Sequence, residues 1–209
     1  MSGVSAILLA AGESRRMGAV NKLTLPIDGQ PLLRHSAQTL LASRLQEVAV
    51  VLGHEADQAA PLLEDLDVTL VHNERYTEGQ MSSVHRGLEA LSRACEGVMI
   101  CLADQPFLTP EDIDVLIEAF GRRRQGSILV PTHRGRRGNP IVLAHAHRAE
   151  ILRSGRNLGC KRLIERDPEL VTTLEMETDH VVFDLDTPED YAEWQRRVEP
   201  PRERRAQLA

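Results

Sequence analysis

The stretch ILLAAGESRRMGAVNKL, residues 7–23, changes character in its middle. It opens as a short run that is apolar on both faces, the pattern of a strand covered by helices on each side of a sheet. At Ala10, Ala11 and Gly12 the run breaks into a polar loop carrying Arg15 and Arg16, with Lys22 a turn later. In an open α/β sheet, ligands sit beyond the carboxyl ends of the strands, so this loop is the first place to look for a binding site. Its chemistry suits an anion. Gly12 is expected to adopt backbone angles closed to other residues, letting consecutive N–H groups turn toward phosphate oxygens. Arg15, Arg16 and Lys22 can neutralise a triphosphate. A compact ammonium follows a shifting phosphate oxygen better than a rigid guanidinium fork. Neither GxxxxGK[ST] nor GxGxxG is present, which excludes two familiar phosphate loops. Composition alone fits a solvated basic loop as well.

Working outward, strand-like runs recur at residues 48–52, 68–71, 98–102, 127–131, 140–143, 171–174 and 181–185, after the first at 5–10. Helical stretches lie between them. In residues 31–45, Leu33, Ala37, Leu40, Leu41 and Leu45 form one apolar stripe, and Val84, Leu88 and Leu91 repeat the pattern later. Thr-Pro-Glu-Asp occurs twice, at 109–112 and 187–190. Each predicts a helix start, with Thr as cap, Pro at the first helical position and carboxylates at the positive end of the helix dipole. Strands alternating with helices imply βαβ units and a mainly parallel sheet with helices on both faces. The last third is less regular.

The chain has 209 residues, 42% of them hydrophobic, enough for one sizeable core, and the expectation is a single domain over 1–198. Two prolines and dense charge predict a disordered tail at 199–209. A net charge of -6 argues against a general nucleic-acid binder, which needs a broad positive field. Cys95, Cys101 and Cys160 are scattered and suggest neither a disulfide framework nor a zinc site. There is no basic start for a secretory signal and no membrane-length apolar run, so a soluble, cytoplasmic protein is expected.

Leu9–Gly12, Ser14, Arg16, Met17 and Gly18 match the pattern LA(A/G)GxSxRMGxxK, and Lys22 lies one position beyond the pattern's lysine. The segment thereby resembles the signature of the molybdenum-cofactor nucleotidyltransferases, the MobA/MocA-like family. Residues 73–88, 101–106, 135–143 and 183–191 resemble the family's later blocks in order. The resemblance implies a Rossmann-like three-layer αβα fold with a mostly parallel mixed sheet, of the nucleotide-diphospho-sugar transferase type. It implies transfer of CMP from CTP to the phosphate of molybdopterin with release of pyrophosphate, for delivery to a recipient molybdenum hydroxylase. LAAG rather than LAGG, and ADQP at 103–106, look like the cytidylyl branch. The alternatives are GTP or another phosphorylated acceptor, or a non-catalytic molybdopterin-delivering chaperone.

Nucleotidyl transfer brings two anions together, so a cation and fixed positive groups must offset their repulsion. Mg2+ needs one or two well-placed carboxylates, with phosphates and water completing its shell. Asp104 follows the buried run 98–102 at the end of a predicted central strand, where either a metal ligand or a turn aspartate fits. Asp184 and Asp186 flank Leu185; if strand geometry continues through them they share a face, and one could complete the metal site. Asp186 could instead serve only the helix start at Thr187.

The resemblance gives Leu9, Ala10, Ala11 and Gly12 to base and phosphate, Arg16 and Lys22 to the triphosphate, and Gly79, Ser82 and Ser83 to base and ribose. The last three are expected just ahead of a helix, where Ser82 or Ser83 could equally be a plain cap. Arg134, Arg136 and Arg137 resemble the acceptor-side block and could grip a phosphate or line a solvated loop. His145 and His147 lack a companion at metal-ligand spacing and are placed at the surface or a helix start.

Overall fold

The computed structural model describes residues 3–18, 20–154 and 160–198. The predicted disordered tail and the side chain of Cys160 lie outside the described residues. Strand β1 is Val4–Ala10, and a minor hairpin follows from β2 (Pro26–Ile27) and β3 (Gln30–Pro31). Helix α1 (Leu32–Leu41), β4 (Val48–Leu52), α2 (Ala56–Ala59), β5 (Thr69–His72), α3 (Gln80–Ala90), β6 (Gly97–Leu102) and α4 (Pro110–Arg122) complete the first part. Then come β7 (Ile128–His133), β8 (Arg136–Arg137), β9 (Ile141–Ala144), α5 (His147–Ser154), α6 (Cys160–Arg166), β10 (Val171–Glu175) and α7 (Pro188–Val198).

The main sheet runs β10-β7-β9-β6-β1-β4-β5, with β8 paired to β7. β1 pairs in parallel with β4 and β6, β4 with β5, and β7 with β10. β9 is antiparallel to both its neighbours. This is the mostly parallel mixed sheet expected. β1 is buried throughout because its alternate residues serve two layers. Ala6 and Leu8 pack with Leu33, Leu40, Ile113 and Phe120 of α1 and α4. Ile7 and Leu9 pack on the other face with Val84 and Leu88 of α3. α3 approaches β1 so closely that a Cβ on Gly87 would lie 2.4 Å from Ile7 Cγ2.

The chain leaves β1 toward β4 on one side, and after β5 crosses back to place β6 on the other. That reversal opens a crevice at the carboxyl ends of the central strands, where such folds hold ligands. Both Thr-Pro-Glu-Asp helix starts form as expected. Thr109 Oγ1 accepts from Asp112 N at 3.2 Å and Asp112 answers the Thr109 N–H at 3.0 Å; Thr187 and Asp190 make the same reciprocal pair at 3.2 and 2.8 Å.

One expected strand is absent. Residues 181–185 end a short 3-10 turn, Asp179–Val182, and continue as irregular chain. Their backbone groups find partners across loops instead of in a ladder: Asn139 N donates to Val181 O at 2.8 Å, and Leu185 N to Asp104 O at 2.7 Å. Of the apolar side chains that suggested a strand, Val181 and Leu185 are buried and Val182 and Phe183 partly so. Val181 joins the α1–α4 core layer, while Leu185 packs with Met17, Ile27, Leu32 and Trp194 in a cluster beneath the crevice. Among the described residues, no helix is long and apolar enough to cross a membrane, and Cys95 and Cys101 are free thiols.

Gly87→Ala is expected to destabilise the fold by about 1–3 kcal/mol, since the new methyl overpacks a contact with no slack. Urea unfolding of the variant checks this; an unchanged midpoint would show that α3 can shift away from β1.

Candidate active site

The loop after β1 gets its shape from a residue other than the glycine expected to provide it. Gly12 does not take left-handed backbone angles. Positive φ falls instead on Ser14, at 52° with ψ 28°, and on Gly18, at 71°. A Cβ at Gly12 would meet no protein atom within 4 Å, so the glycine leaves room at the cavity it lines. Ser14 Oγ accepts the Lys22 N–H at 3.2 Å, and Asn21 Oδ1 accepts the Leu23 N–H at 3.0 Å, starting the turn Lys22–Thr24. Asn21 Nδ2 reaches across to Glu55 Oε2 at 2.8 Å. The loop is thus closed on itself and tethered outside β4, which fixes where Lys22 points.

Lys22 Nζ lies 2.6 Å from Asp104 Oδ2 and 2.9 Å from Asp186 Oδ1. Arg16 Nη2 holds the other oxygen of Asp186 at 2.8 Å. Three segments distant in the chain therefore meet at one ammonium. The Lys22 and Asp104 side chains are only 14% and 17% exposed, so their attraction is little screened. Burial alone would lower the Lys22 pKa, but Asp104 and Asp186 outweigh it and hold the group protonated above its usual value. Arg16, at 67% exposed, is the mobile outer partner.

Asp184 joins the same cluster without a cation of its own. Burial first, then repulsion from Asp104 and Asp186, push its pKa up to about 6. Asp104 Oδ1 and Asp184 Oδ1 are both buried with no protein hydrogen-bond partner among the described residues. Asp184 and Asp186 do not share a strand face, because no strand forms there; they converge through the Leu185–Asp104 bond. Asp186 is not confined to the helix start. The α7 cap is made by Thr187 with Asp190, leaving the Asp186 carboxylate to Lys22 and Arg16.

Two cavities meet at this cluster. The first is lined by Leu9–Gly12, Lys22, Asp104 and Ser83, with Tyr76 and Gln80 closing one side. The second is lined by Arg16, Arg136, Phe183, Asp184 and Asp186, and lies beyond the Lys22–Asp186 contact. α3 begins at Gln80, so Ser82 and Ser83 belong to its first turn instead of preceding it, and Gly79 is the cap residue, with φ 108°. Ser82 Oγ has one proton to share between Gly79 O at 2.8 Å and Arg75 O at 2.9 Å, while Ser83 lines the first cavity. Of the three arginines near 134–137, Arg136 lines the second cavity. Arg134 and Gly135 form the two-residue β7–β8 turn, both at positive φ as such hairpins require. His147 starts α5 but is buried, its Nε2 2.7 Å from Ser127 Oγ. Tyr76 and Gln80 were not foreseen. The signals in the sequence are their place in the block 73–88 and their proximity to Gly79.

Among the described residues no three His, Cys, Asp or Glu side chains stand ready-made as a metal cage. A catalytic magnesium site does not need one, because phosphates and water supply most of its ligands. The two unpartnered buried oxygens, Asp104 Oδ1 and Asp184 Oδ1, are the donors such an ion takes, so the residues present fit a divalent cation.

A small-residue loop, a buried ammonium and clustered carboxylates at the strand ends of a mixed parallel sheet make the arrangement of a nucleotidyltransferase. The sequence matches the MobA-like NTP transferase domain over residues 6–171, and the chain belongs to that family. It is 28% identical to molybdenum cofactor cytidylyltransferase of Escherichia coli over 193 residues, 91% of this chain and 95% of the relative. It is 27% identical over 191 residues to nicotine blue oxidoreductase of Paenarthrobacter nicotinovorans, 89% of this chain and 93% of that one. A further match, 37% identical over 109 residues and 50% of this chain, is the bifunctional protein GlmU of Allorhizobium ampelinum, of which the matched region spans only 24%. The crystal structure of Rv0371c from Mycobacterium tuberculosis H37Rv in complex with manganese shares the fold, with a TM-score of 0.79 at 20% identity, covering 94% of this chain and 100% of that one.

The Asp184 pKa predicts a pH signature in the metal-free protein. A carboxyl held above its unfolded value binds more protons when folded, so its contribution is complete at acid pH and is lost as pH rises from about 4 to about 6. Asp184→Asn should therefore melt near the wild-type temperature at pH 4 but above it at pH 7.5 in EDTA. Equal melting at both values would mean that Asp184 ionises freely.

Proposed function

We propose that this chain is a molybdenum cofactor cytidylyltransferase, moving CMP from CTP to the terminal phosphate of molybdopterin. The observation that carries the reading is Lys22 Nζ, 2.6 Å from Asp104 and 2.9 Å from Asp186, at the seam between two cavities. In this reading the first cavity receives CTP and the second the acceptor. Leu9–Gly12 border base and phosphate, with Ser83 alongside; Gly79 and Ser82 shape the turn that presents Ser83. Lys22 faces the triphosphate, while Arg16, expected from the sequence to do the same, lines the second cavity and reaches the seam through Asp186. Asp104, with Asp184 or Asp186, would hold Mg2+. When bound, such an ion supplies positive charge where the α-phosphate and departing pyrophosphate accumulate negative charge.

The reaction asks little covalent chemistry of the protein. An acceptor phosphate oxygen attacks the α-phosphorus of CTP, the bond from that phosphorus to the bridging oxygen breaks, and pyrophosphate leaves with the electron pair. No enzyme nucleophile is needed, so catalysis is positioning plus charge. Lys22 is suited to exchange partners: its bonds to Asp104 and Asp186 hold it at the seam until phosphate oxygens compete for its protons. The recipient of the product in this reading is a molybdenum hydroxylase. Similarity to the E. coli cytidylyltransferase over 95% of that protein and the LAAG loop support CTP over GTP.

Incubation with molybdopterin, a divalent metal and each nucleoside triphosphate should release pyrophosphate fastest with CTP. Preference for GTP would move the chain to the guanylyl branch; redox turnover of nicotine blue without pyrophosphate release would align it with the oxidoreductase relative. Lys22→Ala should lower turnover by about 10²–10³-fold, the scale of losing one preorganised electrostatic contact. Intact delivery of cofactor by that variant would instead favour a chaperone.

Arg136 is solvent-exposed, with Nη2 3.4 Å from Val182 O, and is free to turn toward an acceptor phosphate. Arg136→Ala is expected to raise KM for the acceptor about tenfold or more, as loss of a charge-assisted bond would, while leaving KM for CTP unchanged. A parallel rise in both constants would count against separate sites for the two substrates.

A further inference from the structure

The side chain that follows Asp104 has no part in the chemistry described so far. Gln105 is 2% exposed and turned away from the first cavity. Its Nε2 donates to Val181 O at 3.1 Å, at the start of the irregular segment that carries Asp184 and Asp186. We propose that Gln105 is a positioning residue that fixes this segment, and through it the Asp184 carboxylate, against Asp104.

Stability alone explains this glutamine poorly. Val181 O already accepts the Asn139 N–H at 2.8 Å, so the carbonyl would not be left bare without it. The other end of the amide is unfavourable where it stands: Oε1 is buried and finds no protein donor among the described residues. A methionine of similar length would fill the space without that unpaired acceptor, and an unpaired buried acceptor costs free energy. What methionine would not supply is the donor that ties Val181 O, three residues before Asp184, to the residue following Asp104. The surroundings leave little freedom. Gly138 passes so close to Val181 that a Cβ there would lie 2.3 Å from the same carbonyl oxygen, so this junction tolerates no added bulk. Gln105 and the Asp104 carbonyl, which accepts from Leu185 N, thus grip the segment at two points four residues apart.

The inference rests on the proposed metal-dependent reading, and the experiment separates the two. Mn2+ is titrated by electron paramagnetic resonance into wild type and Gln105→Met, each with a non-hydrolysable CTP analogue. Gln105→Met should bind Mn2+ about 10–100-fold more weakly, the range for lost support of a metal ligand. Its melting temperature without metal should be no lower than that of wild type. Equal Mn2+ affinity in the two proteins overturns the role of Gln105 and leaves the metal reading standing. A lower melting temperature with wild-type Mn2+ affinity identifies a merely structural residue and overturns it too. Failure of wild type itself to bind Mn2+ overturns the metal reading and this one with it. Should Gln105→Met not fold, Gln105→Leu carries the same titration with the same expected loss.

Discussion

The structure around the crevice depends on the ammonium of Lys22 standing between the carboxylates of Asp104 and Asp186. Three aspartates, at 104, 184 and 186, are gathered where water is partly excluded, and like charges so placed repel. Lys22 offsets that repulsion for two of them, Arg16 reinforces it from the solvent side, and Asp184 is left with its pKa near 6. A group of this kind does little for stability, because desolvation consumes much of what attraction returns. In the proposed reading its arrangement is preorganisation: the charges already stand where the reacting phosphates would meet.

The topology explains why these residues can meet at all. Lys22 and Asp104 are 82 residues apart and Lys22 and Asp186 are 164 apart, yet each stands just beyond the carboxyl end of the central sheet. β1 and β6 are adjacent and parallel, so the loops that follow them emerge side by side, an adjacency sealed by the Ala103 N to Leu9 O bond at 3.2 Å. The C-terminal segment is brought in differently. It has no strand partner, and it is held by apolar anchors at Val181 and Leu185 and by hydrogen bonds from the loops it crosses.

That difference marks the limit of what the sequence made legible. Strands β1, β4 and β6 were readable because burial on both faces writes an uninterrupted apolar run, and the two capped helices because Thr-Pro-Glu-Asp is a local signal. Residues 181–185 carry the same kind of run for another reason: their side chains fill gaps at the sheet's end while their backbone bonds to irregular neighbours. Hydrophobicity reports burial of side chains and is silent about the backbone's partners, so a strand was the natural but incorrect reading. Gly12 shows the same ambiguity in glycine, which serves equally for an unusual φ or for absence of a side chain. Here the unusual φ falls on Ser14 and open space on Gly12. The positions of Lys22 and Asp104 were inferable from the loop–strand pattern, whereas Tyr76 and Gln80 reach the cavity through the course of a turn that no periodicity encodes.

The two cavities of the crevice differ in the charges lining them. The first combines a loop of small residues with Lys22 and Asp104, a setting in which a polyanion can approach backbone closely and still find a cation. The second carries Asp179, Asp184, Asp186, Asp190 and Glu193 against Arg16 and Arg136, so carboxylates outnumber cations along its lining. Two identical anionic pockets would admit the same nucleotide in either orientation. In the proposed reading the unequal pockets take one substrate each, and the Lys22–Asp186 contact between them is where the two reacting oxygens would converge on one phosphorus. Specificity for two different substrates would then be built from the same charged cluster that fixes their orientation.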